Sequence, residues 1–258
     1  MILSFTKYHG TGNDFIMIDS TKDDSFYLSN EQIRFLCDRR FGIGADGLIL
    51  IYKEKDFSFK MQYHNADGTQ SFCGNGARCA VHFSHSLNLF TDKAVFLAID
   101  GVHEATLNND TVTLKMNDVE KIQKLASTFI LDTGSPHYVK FTEDVATQNM
   151  VEFGKKIRYS SAYKEKGINV NLVEILDENQ LKMRTYERGV EDETYSCGTG
   201  ATAAALAYAE MEKQKEIDVN ILVKGGALAI KAKREHGHFS SIYLTGPAQK
   251  VFEGKLII

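Results

Sequence analysis

Two cysteines at the head of matching glycine motifs are the residues best placed to do chemistry. Residues 72–80 read FCGNGARCA and residues 196–204 read SCGTGATAA. In each, a cysteine precedes Gly-x-Gly and small residues that run into a helix. The first N–H groups of a helix lack intrahelical partners and carry the positive end of its dipole. A thiol with an ordinary pKa of roughly 8.5 is pushed toward thiolate there. The glycines leave the amides of Gly74, Asn75, Gly198 and Thr199 open to a carboxylate. Two such positions, 73 and 197, suggest two thiols acting on one small anionic substrate.

Taken singly, either motif also fits a tight turn before a buried helix with a core cysteine. The similarity extends further, however. Lys60-Met61 and Lys182-Met183 lie shortly before the two cysteines, and Gly101 and Gly225 lie equally far after them, each behind an apolar run. Repetition on this scale indicates two copies of one unit. The expected halves are residues 1–117 and 118–249, with a last strand at about 250–258 that can pack on the first half.

The elements that must carry these motifs are mostly short strands. Apolar runs at 2–7, 15–18, 48–52 and 57–63 alternate or stay apolar as strands do. Ser29 with Gln32 forms a capping box for a helix through Ile33, Leu36 and Cys37, with Cys37 on its core face. Asn13-Asp14, bracketed by Gly10 and Gly12, fits a turn as well as a binding loop. The loop at 41–47 is glycine-rich but has neither phosphate-loop nor dinucleotide spacing. After Cys73, residues Ala77, Ala80, Val81, Ser84 and Leu87 mark a packed helix face, with Arg78, His82 and His85 on the other side. His82 and His85 lack a third local ligand, so no metal site is expected.

Strand candidates follow at 95–99, 103–107 and 111–116. The second half repeats this order: strands at 131–133, 138–141, 168–176 and 181–187, then a helix over 201–211. That helix is apolar almost all round and should be buried on every side. Strands at 221–224, 228–233 and 241–244 complete the copy. The expected class is α+β: two pseudo-symmetric domains, each a mostly antiparallel sheet or barrel around a central helix, with the active site in the cleft between them.

Composition narrows the partners. The 258 residues are 43% apolar and carry a formal charge of −4 without a basic stripe, which argues against nucleic acid and anionic membranes. No apolar run approaches the roughly 20 residues of a membrane span. Four cysteines without an export signal suggest thiols in a reducing, cytoplasmic setting.

In order along the chain, KYHGTGNDF (7–15), GIGADG (42–47), NADG (65–68), CGNGARC (73–79), GSPH (134–137), NVN (169–171), ERGV (187–190), CGTG (197–200) and LTGPA (244–248) together resemble the diaminopimelate epimerase family over essentially the whole chain. The resemblance implies a homodimeric epimerase, independent of pyridoxal phosphate and of metal. Its reaction interconverts LL- and meso-diaminopimelate on the route to lysine and peptidoglycan. It implies that Cys73 accepts and Cys197 donates the proton in the LL-to-meso direction, with the roles exchanged in reverse. His137 and Glu187 are the charged groups implied to set the thiols' protonation, and Glu187 to take the substrate ammonium. Asn13, Asn65, Asn169 and Arg188 are implied to hold the amino acid, Arg188 gripping its distal carboxylate. Gly74, Asn75, Gly198 and Thr199 would hold the reacting carboxylate. Without the resemblance, Arg188 reads equally as a surface cation, Asn65 as the start of a turn and His137 as a core histidine.

Three features depart from the family pattern. Gly47 stands where some members have glutamine, Ser135 stands where many have asparagine, and the segment from Glu187 to Cys197 is one residue longer. Two other readings remain: a proline-racemase-like enzyme of the same fold, which would not need the distal grip of Arg188, and a thiol redox or sensing protein, against which the lack of C-x-x-C counts.

Overall fold

Alternation of side chains along the strands decides which residues line each helix. The computed structural model describes residues 2–258, and the chain forms two compact units, Met1–Leu114 with Gly246–Ile258, and Lys115–Thr245. The first contains β1 (Ile2–Gly10), β2 (Asn13–Asp19), α1 (Asn30–Cys37), β3 (Gly47–Glu54), β4 (Phe57–Asn65), α2 (Gly74–Ser86), β5 (Lys93–Ala98), β6 (Gly101–Asn108), β7 (Thr111–Lys115) and the final strand β17 (Gln249–Ile257). Pairing runs β17-β1-β2-β3-β4-β5-β6-β7, antiparallel except for β2–β3 and β4–β5.

The second unit contains β8 (Ile122–Leu125), β9 (Thr128–Asp132), β10 (Pro136–Phe141), α3 (Met150–Arg158), β11 (Asn169–Asp177), β12 (Gln180–Glu187), β13 (Asp192–Thr194), α4 (Gly198–Glu212), β14 (Glu216–Val223), β15 (Gly226–Glu235) and β16 (His238–Pro247). Its order is β8-β9-β10-β11-β12-β14-β15-β16, again antiparallel except at two places, β10–β11 and β12–β14. The sequence of parallel and antiparallel steps is therefore the same in both units. The expected α+β duplication is present, since α2 packs on β1 to β4 and β6 while α4 packs on β9 to β12, β14 and β15.

A second helix covers the outer face of each sheet. Ile33, Leu36 and Cys37 of α1 bury themselves on Ile16, Ile18, Leu48 and Leu50, and each such side chain, fully buried, contributes about 1.5–3 kcal/mol. The other face of the same strands, with Phe15 and Ile49, meets α2 at Gly76. Burial on both faces explains the unbroken apolar runs of β2 and β3. In the second unit, α3 holds Met150 on Val170, Leu172 and Tyr186. That leaves Asn169 and Asn171 on the α4 side.

Registers make the duplication explicit. Phe15 pairs with Gly47 and Gly47 with Asn65; His137 pairs with Asn169, and the adjacent pair Val170–Tyr186 sets Asn169 beside Glu187. Phe15, Gly47 and Asn65 thus correspond to His137, Asn169 and Glu187. Two expectations change. The glycine equivalent to Gly101 is Gly226 and not Gly225, because Ala98–Gly101 and Val223–Gly226 close the two hairpins, with positive φ of 130° and 143°. Arg78, expected on the side of α2 away from its packed face, is fully buried. The enclosing strands leave this helix no solvent side there.

Candidate active site

Both cysteines are N-caps with nearly the same backbone. Cys73 has φ −133° and ψ 114°, Cys197 φ −129° and ψ 110°, and neither side chain caps its own helix. Their carbonyls close the first helical turns by accepting from Ala77 and Ala201 at 2.8 and 2.9 Å. An extended N-cap followed by glycine turns each thiol off the helix end, next to the first-turn amides of Gly74 and Asn75 or of Gly198 and Thr199. Cys73 is half-buried and Cys197 is 5% exposed. All four cysteines are thiols. Burial pushes the Cys37 thiol up to about 12 and raises that of Cys79 as well, so those two are inert core residues.

In the first unit, the Cys73 thiol lies 3.6 Å from Asn13 Oδ1, which also accepts from Asn75 Nδ2 at 3.2 Å. Asn13 is oriented from behind, because its Nδ2 donates to Asp46 Oδ2 at 2.6 Å. Arg39 grips both oxygens of Asp14 at 2.9 and 2.7 Å and reaches Asp46 at 2.7 Å. Lys7 pairs with Asp14 at 2.7 Å and donates to the Gly44 carbonyl. Burial pushes the Asp14 carboxyl up, but hydrogen bonds from Arg39 and Lys7 and their charges outweigh it and hold it well below the usual range. Residues 42–47 are thus a scaffold for Asn13. Asn65 opens a turn, accepting from the Gly68 amide at 2.9 Å, and its Nδ2 donates to Thr69 Oγ1 at 3.0 Å.

Arg78 is the largest fully buried side chain. It donates to Thr11 Oγ1 at 3.1 Å and to the Pro247 carbonyl at 3.4 Å, while its Nη1 has no hydrogen-bond partner among the described residues. It ties the turn before Asn13 to the segment entering β17.

In the second unit, hydrogen bonds link Cys197 to the strands. Its Sγ lies 3.4 Å from Thr199 Oγ1, which lies 2.9 Å from His137 Nε2. His137 Nδ1 is 3.0 Å from Asn171 Nδ2, and Asn171 Oδ1 accepts from Thr185 Oγ1 at 2.9 Å. Burial, reinforced by the charge of Arg188, pushes His137 down to about 3, so its imidazole is neutral. Asn169 Oδ1 accepts the Arg188 amide at 2.8 Å and its Nδ2 donates to Ser135 Oγ at 3.0 Å. The Arg188 guanidinium donates to the Lys166 carbonyl at 3.0 Å and Ser135 Oγ at 3.3 Å, leaving further N–H groups of its five-donor fork for a carboxylate. Glu187 is half-buried at the end of β12.

Hydrogen bonds join Asn13 and Asn75 to Cys73 in the first unit, and Thr199 and then His137 to Cys197 in the second, where Asn169, Ser135 and Arg188 form an adjoining cluster. Asp46, Asn171 and Thr185 were given no site role in the sequence, and Arg78 was placed there only on the unpacked side of α2. Asn171 had a visible signal, since it lies two residues from Asn169 and strand period places both on one face. His82 lies 3.1 Å from Tyr8 Oη and 3.2 Å from Asp110 Oδ1. No helix among the described residues is long and apolar enough to cross a membrane.

A family profile described as diaminopimelate epimerase matches residues 5–122 and 129–251. The chain belongs to the diaminopimelate epimerase family. Diaminopimelate epimerase of Flavobacterium psychrophilum is 48% identical over 96% of this chain and 97% of its own length. That of Aquifex aeolicus is 37% identical over 98% of each. Among solved structures, a Bacillus anthracis phenazine biosynthesis protein of the PhzF family superposes with a TM-score of 0.76 at 12% identity over the full length of both chains. A hydroxyproline epimerase from Agrobacterium vitis does so at 0.68 and 12%, covering 99% of this chain and 92% of that one. These likenesses establish the shared fold.

Within the diaminopimelate epimerase family, two of the three departures noted in the sequence, Gly47 and Ser135, have a defined structural setting. A Cβ at Gly47 would come within 2.4 Å of the Tyr63 ring and 2.7 Å of the His64 carbonyl, so Tyr63 excludes a side chain there. Ser135 accepts from both Asn169 and Arg188, joining two residues through one hydroxyl.

Proposed function

We propose that the protein interconverts LL- and meso-diaminopimelate by proton transfer between the substrate α-carbon and the thiols of Cys73 and Cys197. The observation that carries this reading is the pair of equivalent N-cap cysteines, one in each copy of the repeat, with the same extended backbone. Inverting a carbon by deprotonation and reprotonation needs a base on one face and an acid on the other. Cys73 as thiolate removes the α-proton, and the thiol of Cys197 delivers a proton to the opposite face. The enzyme then holds a Cys73 thiol and a Cys197 thiolate, the state suited to the reverse reaction.

Negative charge moves onto the substrate carboxylate as the proton leaves. The amides of Gly74, Asn75, Gly198 and Thr199, at the positive ends of α2 and α4, meet that charge. Arg188 takes the distal carboxylate in bidentate fashion, supported by Ser135 and Lys166. Asn13 and Asn65 contact the amino acid from the first unit and Asn169 from the second, and Glu187 takes the ammonium group. His137 and Glu187 set the protonation of the thiols. The reaction needs no cofactor, since the proton is the only species transferred. The working form is a homodimer in the cytoplasm.

The test is α-carbon deuterium incorporation from heavy water with LL-diaminopimelate, L-lysine and L-proline as substrates. Exchange with diaminopimelate alone supports the reading. Comparable exchange with proline would support a proline-racemase-like activity, and no exchange with any of them would overturn epimerisation. Cys73→Ala or Cys197→Ala with near-normal turnover would refute the two-thiol mechanism. Light scattering after gel filtration tests the dimer.

A further inference from the structure

We propose that Asn171 is a positioning residue that holds His137 in its Nε2–H tautomer and thereby turns the Thr199 hydroxyl hydrogen toward Cys197 Sγ. The catalytic meaning of this inference rests on the two-thiol reading above. Its geometry does not.

Each donor and acceptor in the network follows from the one before. The Tyr138 carbonyl can only accept, so the Asn171 amide must turn its NH2 end there and toward the histidine, and its oxygen end meets the Thr185 hydroxyl at 2.9 Å. That NH2 is donor-only and contacts His137 Nδ1 at 3.0 Å and the Tyr138 carbonyl at 3.2 Å. His137 Nδ1 must therefore offer a lone pair, and the single ring hydrogen sits on Nε2. The Nε2–H group donates to Thr199 Oγ1 at 2.9 Å, well inside the 3.5 Å at which the Asn169 amide nitrogen stands from the same ring nitrogen. Having accepted, the hydroxyl directs its own hydrogen to Cys197 Sγ at 3.4 Å, where it stabilises thiolate over thiol.

Two further observations indicate that this arrangement is specific. A Cβ at Gly200 would lie 2.6 Å from Asn171 Oδ1 and 3.3 Å from Cys197 Sγ, so the second glycine of CGTG lets the head of α4 seat directly on Asn171. The pseudo-equivalents of His137 and Asn171 in the first unit are Phe15 and Ile49, apolar residues against Gly76. Phe15 and Ile49 cannot form this network, which is thus specific to the Cys197 side at these equivalent positions. Charged groups on the same segments are Glu187 and Arg188 on and just after β12 and Cys197 itself. Burial, and after it the charge of Arg188, opposes a charged His137, which keeps the ring neutral and the relay in one direction.

Nitrogen-15 spectra of the full-length histidine-labelled protein should show His137 neutral and protonated at Nε2 at pH 7. An Nδ1–H ring or an imidazolium there would overturn the proposal. Thiolate ultraviolet absorbance against pH then reads Cys197 in a Cys73→Ser background and Cys73 in a Cys197→Ser background, with buried Cys37 and Cys79 silent near neutrality. Asn171→Leu should raise the Cys197 midpoint by half a pH unit or more and leave that of Cys73 in place. An unmoved Cys197, or equal movement of both, would overturn it. Thr185→Val, which removes the amide oxygen's partner and loosens the amide without releasing it from the Tyr138 carbonyl, should give the same shift in smaller size and serves if the leucine variant does not fold. Both readouts are independent of turnover, so failure of the epimerase reading would show only in the exchange assay.

Discussion

Asn13 donates to Asp46 across 2.6 Å, and this bond decides which end of the Asn13 amide meets Cys73. Asp46→Ala releases the amide, and its nitrogen can then turn toward the sulfur. Misplacement of a contact group by about 1 Å can cost on the order of 100-fold in rate. We expect kcat/KM to fall by about 10- to 100-fold with the circular dichroism spectrum unchanged. Unaltered kinetics would show that Asn13 is held by other groups.

Gly76 and Gly200 occupy equivalent helical positions but meet different neighbours. A Cβ at Gly76 would lie 3.1 Å from Ile49 Cδ1, the far end of a flexible side chain, whereas at Gly200 it would lie 2.6 Å from Asn171 Oδ1. Gly76→Ala should therefore cost little. Gly200→Ala should cost about 1–3 kcal/mol of stability and reduce turnover more than Gly76→Ala does. Urea titrations and initial rates on both variants check the asymmetry, and equal effects would contradict it.

Acidification should destabilise the protein in two stages. His137 has a folded-state pKa of about 3, below the unfolded value of about 6.5. Its contribution is fully present above about pH 6.5 and is lost as pH falls toward 3, at about 1.4 kcal/mol per pH unit. Asp14 is also depressed, so its contribution is present above the ordinary carboxylate pKa of about 3.9 and fails below it. Melting temperature against pH should flatten between pH 3 and 6.5 in His137→Gln and flatten only below about pH 4 in Asp14→Asn. Profiles parallel to the parent would exclude both assignments.

Arg188→Lys keeps the charge but loses the planar fork that reaches Ser135 and Lys166 together. The Michaelis constant for diaminopimelate should rise by about tenfold or more, with a smaller change in kcat. A fall in kcat alone would place Arg188 at the reacting carbon instead of the distal carboxylate.

The sequence by itself determined the duplication, the central helices and the residues that head them. Those features are local: a cysteine, two glycines and a run of small residues specify an N-terminus wherever they occur, and apolar alternation marks the strands. Ser29 and Gln32 form the capping box that their spacing predicts. Helix α3 was missed because its apolar residues Met150, Val151, Phe153 and Ile157 are few and interrupted by Gly154, which is there to seat the helix on Tyr186. Only tertiary structure decided what surrounds each sulfur. Asp46 is 33 positions from Asn13, Thr185 is 14 from Asn171 and His137 is 62 from Thr199. Hydrogen bonds at such separations depend on strand register and on which face a side chain takes, and a pattern of residue types along the chain fixes neither until the strands have paired.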